Sequence, residues 1–133
     1  MSAANVALIR SMYEAFAKGD AAGVLGRMSP GIVWNEAEGF LYADRNPYVG
    51  PDAIGQGIFM RIATEWDGFS VRPEEFLDAG DTVVATGRYT GTYKKTGRTL
   101  SAQFAHVWRV EGGMATRFQQ YTDTLQSARV AGV

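Results

Sequence analysis

Apolar residues recur at helical spacing through Asn5–Lys18. Val6, Ile9, Met12, Tyr13 and Phe16 form one stripe, and Arg10, Glu14 and Lys18 lie off it. Gly19 stops this helix. Asp20 is a good N-cap for a second, short helix with Val24, Leu25 and Met28 inward, and Ser29-Pro30-Gly31 breaks it. Ile32–Ala37 predicts a strand, and residues 38–50 a long loop rich in Gly, Tyr, Asn and Pro. Pro51 takes the favoured first position of a third helix. Ile54, Ile58, Ile62 and Trp66 carry that helix forward, although Gly55 and Gly57 weaken it by about 1 kcal/mol each relative to alanine.

The second half alternates instead. Phe69–Leu77, Thr82–Tyr93, Thr99–Val110 and Met114–Leu125 predict strands, separated by turns at Ala79-Gly80-Asp81, Lys94–Gly97 and Glu111-Gly112-Gly113. Short turns between long strands require antiparallel neighbours. Helices followed by a meander is an α+β pattern. With no internal repeat or linker, residues 1–133 form one domain. Its expected shape is a cone: a strongly curved antiparallel sheet wrapped around three helices and enclosing an internal pocket, with Gly87 and Gly91 as bend points.

The informative positions are polar residues on inward strand faces. Phe104, His106 and Trp108 share one face, and Phe118, Gln120 and Thr122 another. The adjacent strand offers either Thr86, Arg88 and Thr90 or Gly87, Tyr89 and Gly91. On the first strand Val33, Asn35 and Ala37 alternate with Trp34 and Glu36. His106, the single histidine, reads either as a hydrogen-bonded core residue or as an acid–base group titrating near neutrality. A buried Gln120 amide without a partner costs about 1–3 kcal/mol, so it needs one, or a wet cavity. Asn35 is a turn residue or a pocket amide. Arg88 is solvated, or, if inward, binds an anion or orients a carboxylate. Asp123 reads as a cap, and Trp34 and Trp66 as core or interface aromatics.

Composition narrows the function classes. With 13 basic and 14 acidic residues the net charge is -1, which lacks the basic excess of a nucleic-acid binder. The absence of cysteine removes disulfides, thiol catalysis and thiolate metal ligands. One histidine without HxH or HxxxH spacing leaves too few ligands for a metal. No GxGxxG, GxxxxGK[ST] or GxSxG motif follows a strand, so no cofactor is expected. The N-terminus lacks signal-peptide order, and no apolar run approaches the ~18 residues of a membrane span. The expectation is a soluble cytoplasmic protein without membrane contact.

Four passages, MYEAFAKGDAAGVLGRM, YVGPDAIGQGIF, FAHVWRVEGG and RFQQYTDT, resemble the nuclear transport factor 2-like superfamily, within it the SnoaL-like (ketosteroid-isomerase-like) branch. The resemblance implies the conical fold and a homodimer paired through the sheet. It spans isomerases, polyketide cyclases, epoxide hydrolases and dehydratases, so fold alone gives no activity. The isomerases' first-strand carboxylate corresponds to Asn35, their helix tyrosine falls near Met12 beside Tyr13, and their second acid falls at His106. The SnoaL-type asparagine and histidine match Asn35 and His106, while the catalytic aspartate of that group falls at Gln120. Of the limonene-type epoxide hydrolase set Arg88 matches, with Thr90 and Gln120 in place of the carboxylates. The leading expectation is binding of a small apolar or aromatic carbonyl-type molecule. Phe104, Trp108 and Phe118 would supply contact area, and Asn35, Arg88, His106 and Gln120 would orient polar atoms. The alternatives are an isomerase, cyclase or hydratase using His106 for proton transfer, and a non-catalytic interaction module.

Overall fold

In the computed structural model, which describes residues 2–133, the first apolar stripe folds as α1 (Ala3–Ala17), capped by the Ser2 side chain accepting from the Asn5 N–H. Asp20 caps α2 (Ala21–Leu25) by accepting from the Gly23 N–H. The sequence carried this helix through Met28, but Met28 is buried as the first residue of β1 (Met28–Asn35). Ser29-Pro30-Gly31 therefore lies inside a strand and does not end a helix. Pro30 is exposed where β1 shifts register against its neighbour between Met28 and Val33, an irregularity at which a strand tolerates a missing N–H. The following loop holds a 3₁₀ turn at Ala43–Arg45 and β2 (Tyr48–Val49), which pairs antiparallel with β1.

The third helix runs as α3 (Pro51–Ile54), a π-helical turn at Gly55–Phe59 and α4 (Met60–Glu65). Gly57 is required there: a Cβ at this position would lie 2.5 Å from Tyr48 Cε2. Trp66, placed in the helix by its spacing, opens β3 (Trp66–Ala79) instead. The meander continues through β4 (Thr82–Tyr93), β5 (Thr99–Glu111) and β6 (Met114–Thr122). The chain then leaves the sheet earlier than the alternation suggests. Asp123 accepts from the Gln126 N–H and starts α5 (Thr124–Ala131), a helix the sequence reading ran into the last strand.

The six strands are ordered β2-β1-β6-β5-β4-β3. β1 runs parallel to β6, so the sheet is mixed and not wholly antiparallel. The short-turn argument holds for β3 to β6 but does not constrain β1, whose partner comes from the far end of the chain. The open sheet curves over α1, α2 and the third helix. Its register shifts between Asp67 and Ser70 and between Pro73 and Glu75, bulges of the kind that bend and twist a sheet. Gly87 lies opposite the second shift. A Cβ there would come within 2.1 Å of the Arg72 carbonyl oxygen and 2.6 Å of Phe104 Cζ. Gly87→Ala is therefore expected to lower the unfolding free energy by about 1–3 kcal/mol through overpacking. Urea denaturation would read this as a lower midpoint at unchanged slope. No helix among the described residues is long and apolar enough to cross a membrane.

Candidate active site

The face of the sheet turned toward the helices is strongly aromatic. Trp34 stacks on Phe118 with ring centroids 3.6 Å apart and meets Trp108 edge-on at 5.6 Å. Phe104 stacks on the His106 imidazole at 4.1 Å. Cross-strand register aligns His106 with Gln120 and Trp108 with Phe118, so these side chains share one face. Between this wall and Met12, Tyr13, Phe16, Ile58, Phe59 and Ile62 on the helices remains a cavity of about 70 Å³. Its polar lining comes from Tyr13, Glu36, Tyr89 and His106.

His106 is gripped at both ring nitrogens. The Tyr13 hydroxyl lies 2.6 Å from Nδ1, and the Tyr89 hydroxyl is hydrogen-bonded to Nε2. Each tyrosine oxygen also accepts from a second donor: Trp108 Nε1–H to Tyr13 at 2.9 Å, and Gln120 Nε2–H to Tyr89 at 2.9 Å. Gln120 completes the chain by accepting the Ala37 N–H at 2.9 Å. No water-filled space is needed to satisfy its amide. Burial pushes the His106 pKa down to about 3 and raises both tyrosines well above their usual value, partly offset by the bonds from Trp108 and Gln120. At neutral pH the cluster is uncharged, with a single proton on the imidazole.

Glu36 is the cavity's carboxyl group. It follows directly after β1, where period two continues the Trp34 face inward, and it is buried. Asn46 clasps its backbone from both sides, accepting the Glu36 N–H at 3.0 Å and donating to the Glu36 carbonyl at 2.8 Å. Its carboxylate accepts from Trp34 Nε1–H at 3.1 Å. Burial raises the Glu36 pKa to about 7, against smaller lowering effects of the Trp34 bond and the Arg61 charge. Arg61 is itself held by Asp44, with two contacts of 2.9 Å. A carboxyl poised near neutrality in an aromatic cavity can both take up and release a proton.

The structure sorts the seven sequence-derived site residues into three sets. His106, Trp108 and Phe118 line the cavity. Phe104 and Gln120 are buried on the same face beside the cavity lining, Phe104 against His106 and Gln120 hydrogen-bonded to Tyr89. Asn35 and Arg88 face the other side of the sheet. Asn35 borders a groove with Arg117 and Gln119, and Arg88 donates to the Ser101 carbonyl at 3.2 Å. The expectation of a pocket-facing Asn35 and Arg88 is therefore corrected. Stacking of Trp34 on Phe118 fixes the parity of β1, and burial of Tyr89 fixes that of β4. The sequence reading passed over Glu36, Tyr13 and Tyr89 as site residues. The available signal was an Ile32-Trp34-Glu36 face, two large apolar residues followed by an acid. Among the described residues no three His, Cys, Asp or Glu side chains gather to hold a metal ion.

A NTF2-like protein from Burkholderia thailandensis is 37% identical over 97% of this chain and 98% of its own, with a TM-score of 0.92. A NTF2-like protein of unknown function from Burkholderia pseudomallei is 30% identical over the whole of both chains, with a TM-score of 0.88. TerC, crystallised with polyporic acid, is 28% identical over 98% of this chain and 100% of its own, with a TM-score of 0.86. No curated protein matches the chain. The description of the SnoaL-like domain matches residues 9–118, and with that match and the close NTF2-like relatives the chain belongs to the SnoaL-like family of NTF2-like proteins.

Proposed function

We propose that this protein binds a small, largely apolar carbonyl compound in the cavity and catalyses proton transfer on it, with Glu36 as the acid–base group. The observation that carries this reading is one buried carboxyl group, accepting only a Trp34 N–H, on a residue that lines an aromatic cavity together with Tyr13 and Tyr89. In the proposed step Glu36 takes the proton from the carbon beside the carbonyl. The electron pair of the broken C–H bond moves through the adjacent carbon onto the oxygen, and a tyrosine hydroxyl donates to the resulting enolate. Glu36 exchanges that proton with solvent while the enolate is held, and a proton then returns to the same carbon or to a conjugated one. His106 is the less suitable base, because both its nitrogens are engaged and burial holds it neutral.

The cavity limits ligand size. At about 70 Å³ it is smaller than the ~150 Å³ engineered cavity known to admit benzene. A ring-sized ligand therefore needs the cavity to widen, and the half-buried Phe16, Phe59 and Ile62 side chains border it on the helix side. That the relative TerC was crystallised with an organic compound, polyporic acid, supports an organic ligand here.

Solvent deuterium uptake into a panel of cyclic and phenyl ketones tests the proposal. The wild-type protein is expected to accelerate exchange for at least one member, with a rate rising through about pH 7 as Glu36 ionises. Glu36→Gln is expected to lower that rate by about 10²–10⁴-fold. Exchange no faster than buffer across the panel, or undiminished in Glu36→Gln, would overturn the assignment.

A further inference from the structure

A count of hydrogens around His106 leads beyond the role of Glu36. Three hydrogens are available to the two links that join the imidazole to its tyrosines: one on each hydroxyl and one on the neutral ring. Two links use two hydrogens, so one is always left over. Trp108 Nε1–H and Gln120 Nε2–H are donors, so they take up acceptor capacity on the tyrosine oxygens and cannot absorb it.

Where the spare hydrogen sits depends on the ring. With the proton on Nδ1, Tyr13 accepts from both Trp108 and His106, Tyr89 donates to Nε2, and the Tyr13 hydrogen is spare. With the proton on Nε2, Tyr89 accepts from both Gln120 and His106, Tyr13 donates to Nδ1, and the Tyr89 hydrogen is spare. Both tyrosines line the cavity, Tyr13 from α1 and Tyr89 from β4. Every buried side-chain nitrogen and oxygen already has a partner among the described residues. Among the described residues neither hydroxyl has a further acceptor within hydrogen-bond distance, so an acceptor for the spare hydrogen would come from a molecule in the cavity that the two tyrosines line.

We propose that His106 is a tautomeric selector that sets which of two opposed tyrosines, Tyr13 or Tyr89, donates to the acceptor oxygen of a bound molecule. Its ligand class is accordingly an apolar compound with a single strong acceptor oxygen, such as a ketone, enolate or phenolate. The ligand part rests on the cavity reading above, whereas the selector itself is a property of the free protein. His106 on this account is a positioning residue. It is uncharged at neutral pH, and it acts by moving a hydrogen-bond donor from one wall to the other.

The sequence makes the test clean, because there is only one histidine. Protein labelled with ¹⁵N at histidine reports directly, by long-range proton–nitrogen correlation, which ring nitrogen bears the hydrogen. In Tyr13→Phe the Nδ1 partner is lost, and a hydrogen there would face an apolar ring, so the Nε2–H form is expected to dominate. In Tyr89→Phe the Nδ1–H form is expected to dominate. The two variants should differ in tautomer ratio by about tenfold or more, as an unpartnered buried N–H demands. The same tautomer in both variants, or a doubly protonated ring in the wild type at pH 7, would overturn the selector. If Tyr89→Phe does not fold, Trp108→Phe removes the donor that competes for the Tyr13 oxygen and is expected to move the population toward Nδ1–H. No movement, or movement toward Nε2–H, would likewise overturn it. Because no ligand is involved, failure here is distinct from failure of the deuterium-exchange experiment.

Discussion

Trp34→Ala is expected to cost about 3–5 kcal/mol of folding stability, the usual loss for removing a buried tryptophan. Trp34 is buried at the junction of sheet and helix, stacked on Phe118 and edge-on to Trp108 and Phe59. The same residue supplies the N–H that lowers the Glu36 pKa. Loss of the indole therefore has a second consequence: the carboxyl should hold its proton to higher pH than in the wild type. Trp34→Phe separates the two effects. It keeps much of the ring contact and loses the donor, so the stability loss should be smaller while the rise in the Glu36 pKa persists. Chemical denaturation and a carboxyl titration of both variants would check the pair. An unchanged Glu36 titration in Trp34→Phe would contradict the assigned bond.

Glu36→Gln is expected to change the shape of the stability–pH curve. Glu36 is fully buried, and its pKa rises from 4.5 to about 7 on folding. Between those values the folded chain keeps a proton that the unfolded chain has released, so stability falls as pH rises. The full effect is present below the unfolded value and gone above the folded one, a loss of about 3 kcal/mol at about 1.4 kcal/mol per pH unit. His106 acts in the opposite direction. Its pKa falls from 6.5 to about 3 on folding, so the stability it contributes is present above 6.5 and is lost as pH falls toward 3. Between about pH 4.5 and 6.5 the two slopes oppose each other and nearly cancel. Removing the carboxyl leaves the imidazole slope alone. Relative to wild type, Glu36→Gln should therefore gain about 3 kcal/mol between pH 4 and pH 8. Urea denaturation of both proteins across that range reads the difference directly, and groups common to both drop out. A flat difference curve would mean that Glu36 titrates as an ordinary carboxylate.

Much of this fold is legible in local signals. Asp20 caps α2, Pro51 opens the third helix, and the glycine turns separate β3 to β6, because each is decided by a few neighbouring residues. The misreadings share a cause: they depend on partners distant in sequence. Pro30 looks like a breaker until β1 is seen beside β6 at a register shift. Leu125 continues an alternating pattern until Asp123 and Gln126 are seen to cap a helix.

The candidate site divides in the same way. His106, Trp108 and Phe118 were recoverable because β5 and β6 are long and their alternation is unambiguous. Asn35 and Glu36 were not, because β1 is short of regular pattern around Pro30 and Gly31 and either parity fits its sequence. A one-residue difference in strand parity exchanges an amide for an acid on the cavity wall. Resemblance favoured Asn35, and packing of Trp34 on Phe118 brings Glu36 inward. Tyr13 and Tyr89 read as core residues on their own elements. Their role depends on meeting one imidazole from two sides, Tyr13 from 93 positions away and Tyr89 from 17.

The most direct measurement is the ¹³C chemical shift of the Glu36 side-chain carboxyl followed against pH, assigned by its absence in Glu36→Gln. The predicted result is a single inflection near pH 7, set by burial of the carboxyl among aromatic rings. An inflection near 4.5, the ordinary value for glutamate, would show Glu36 charged throughout the physiological range, and the acid–base role assigned to it here would be wrong.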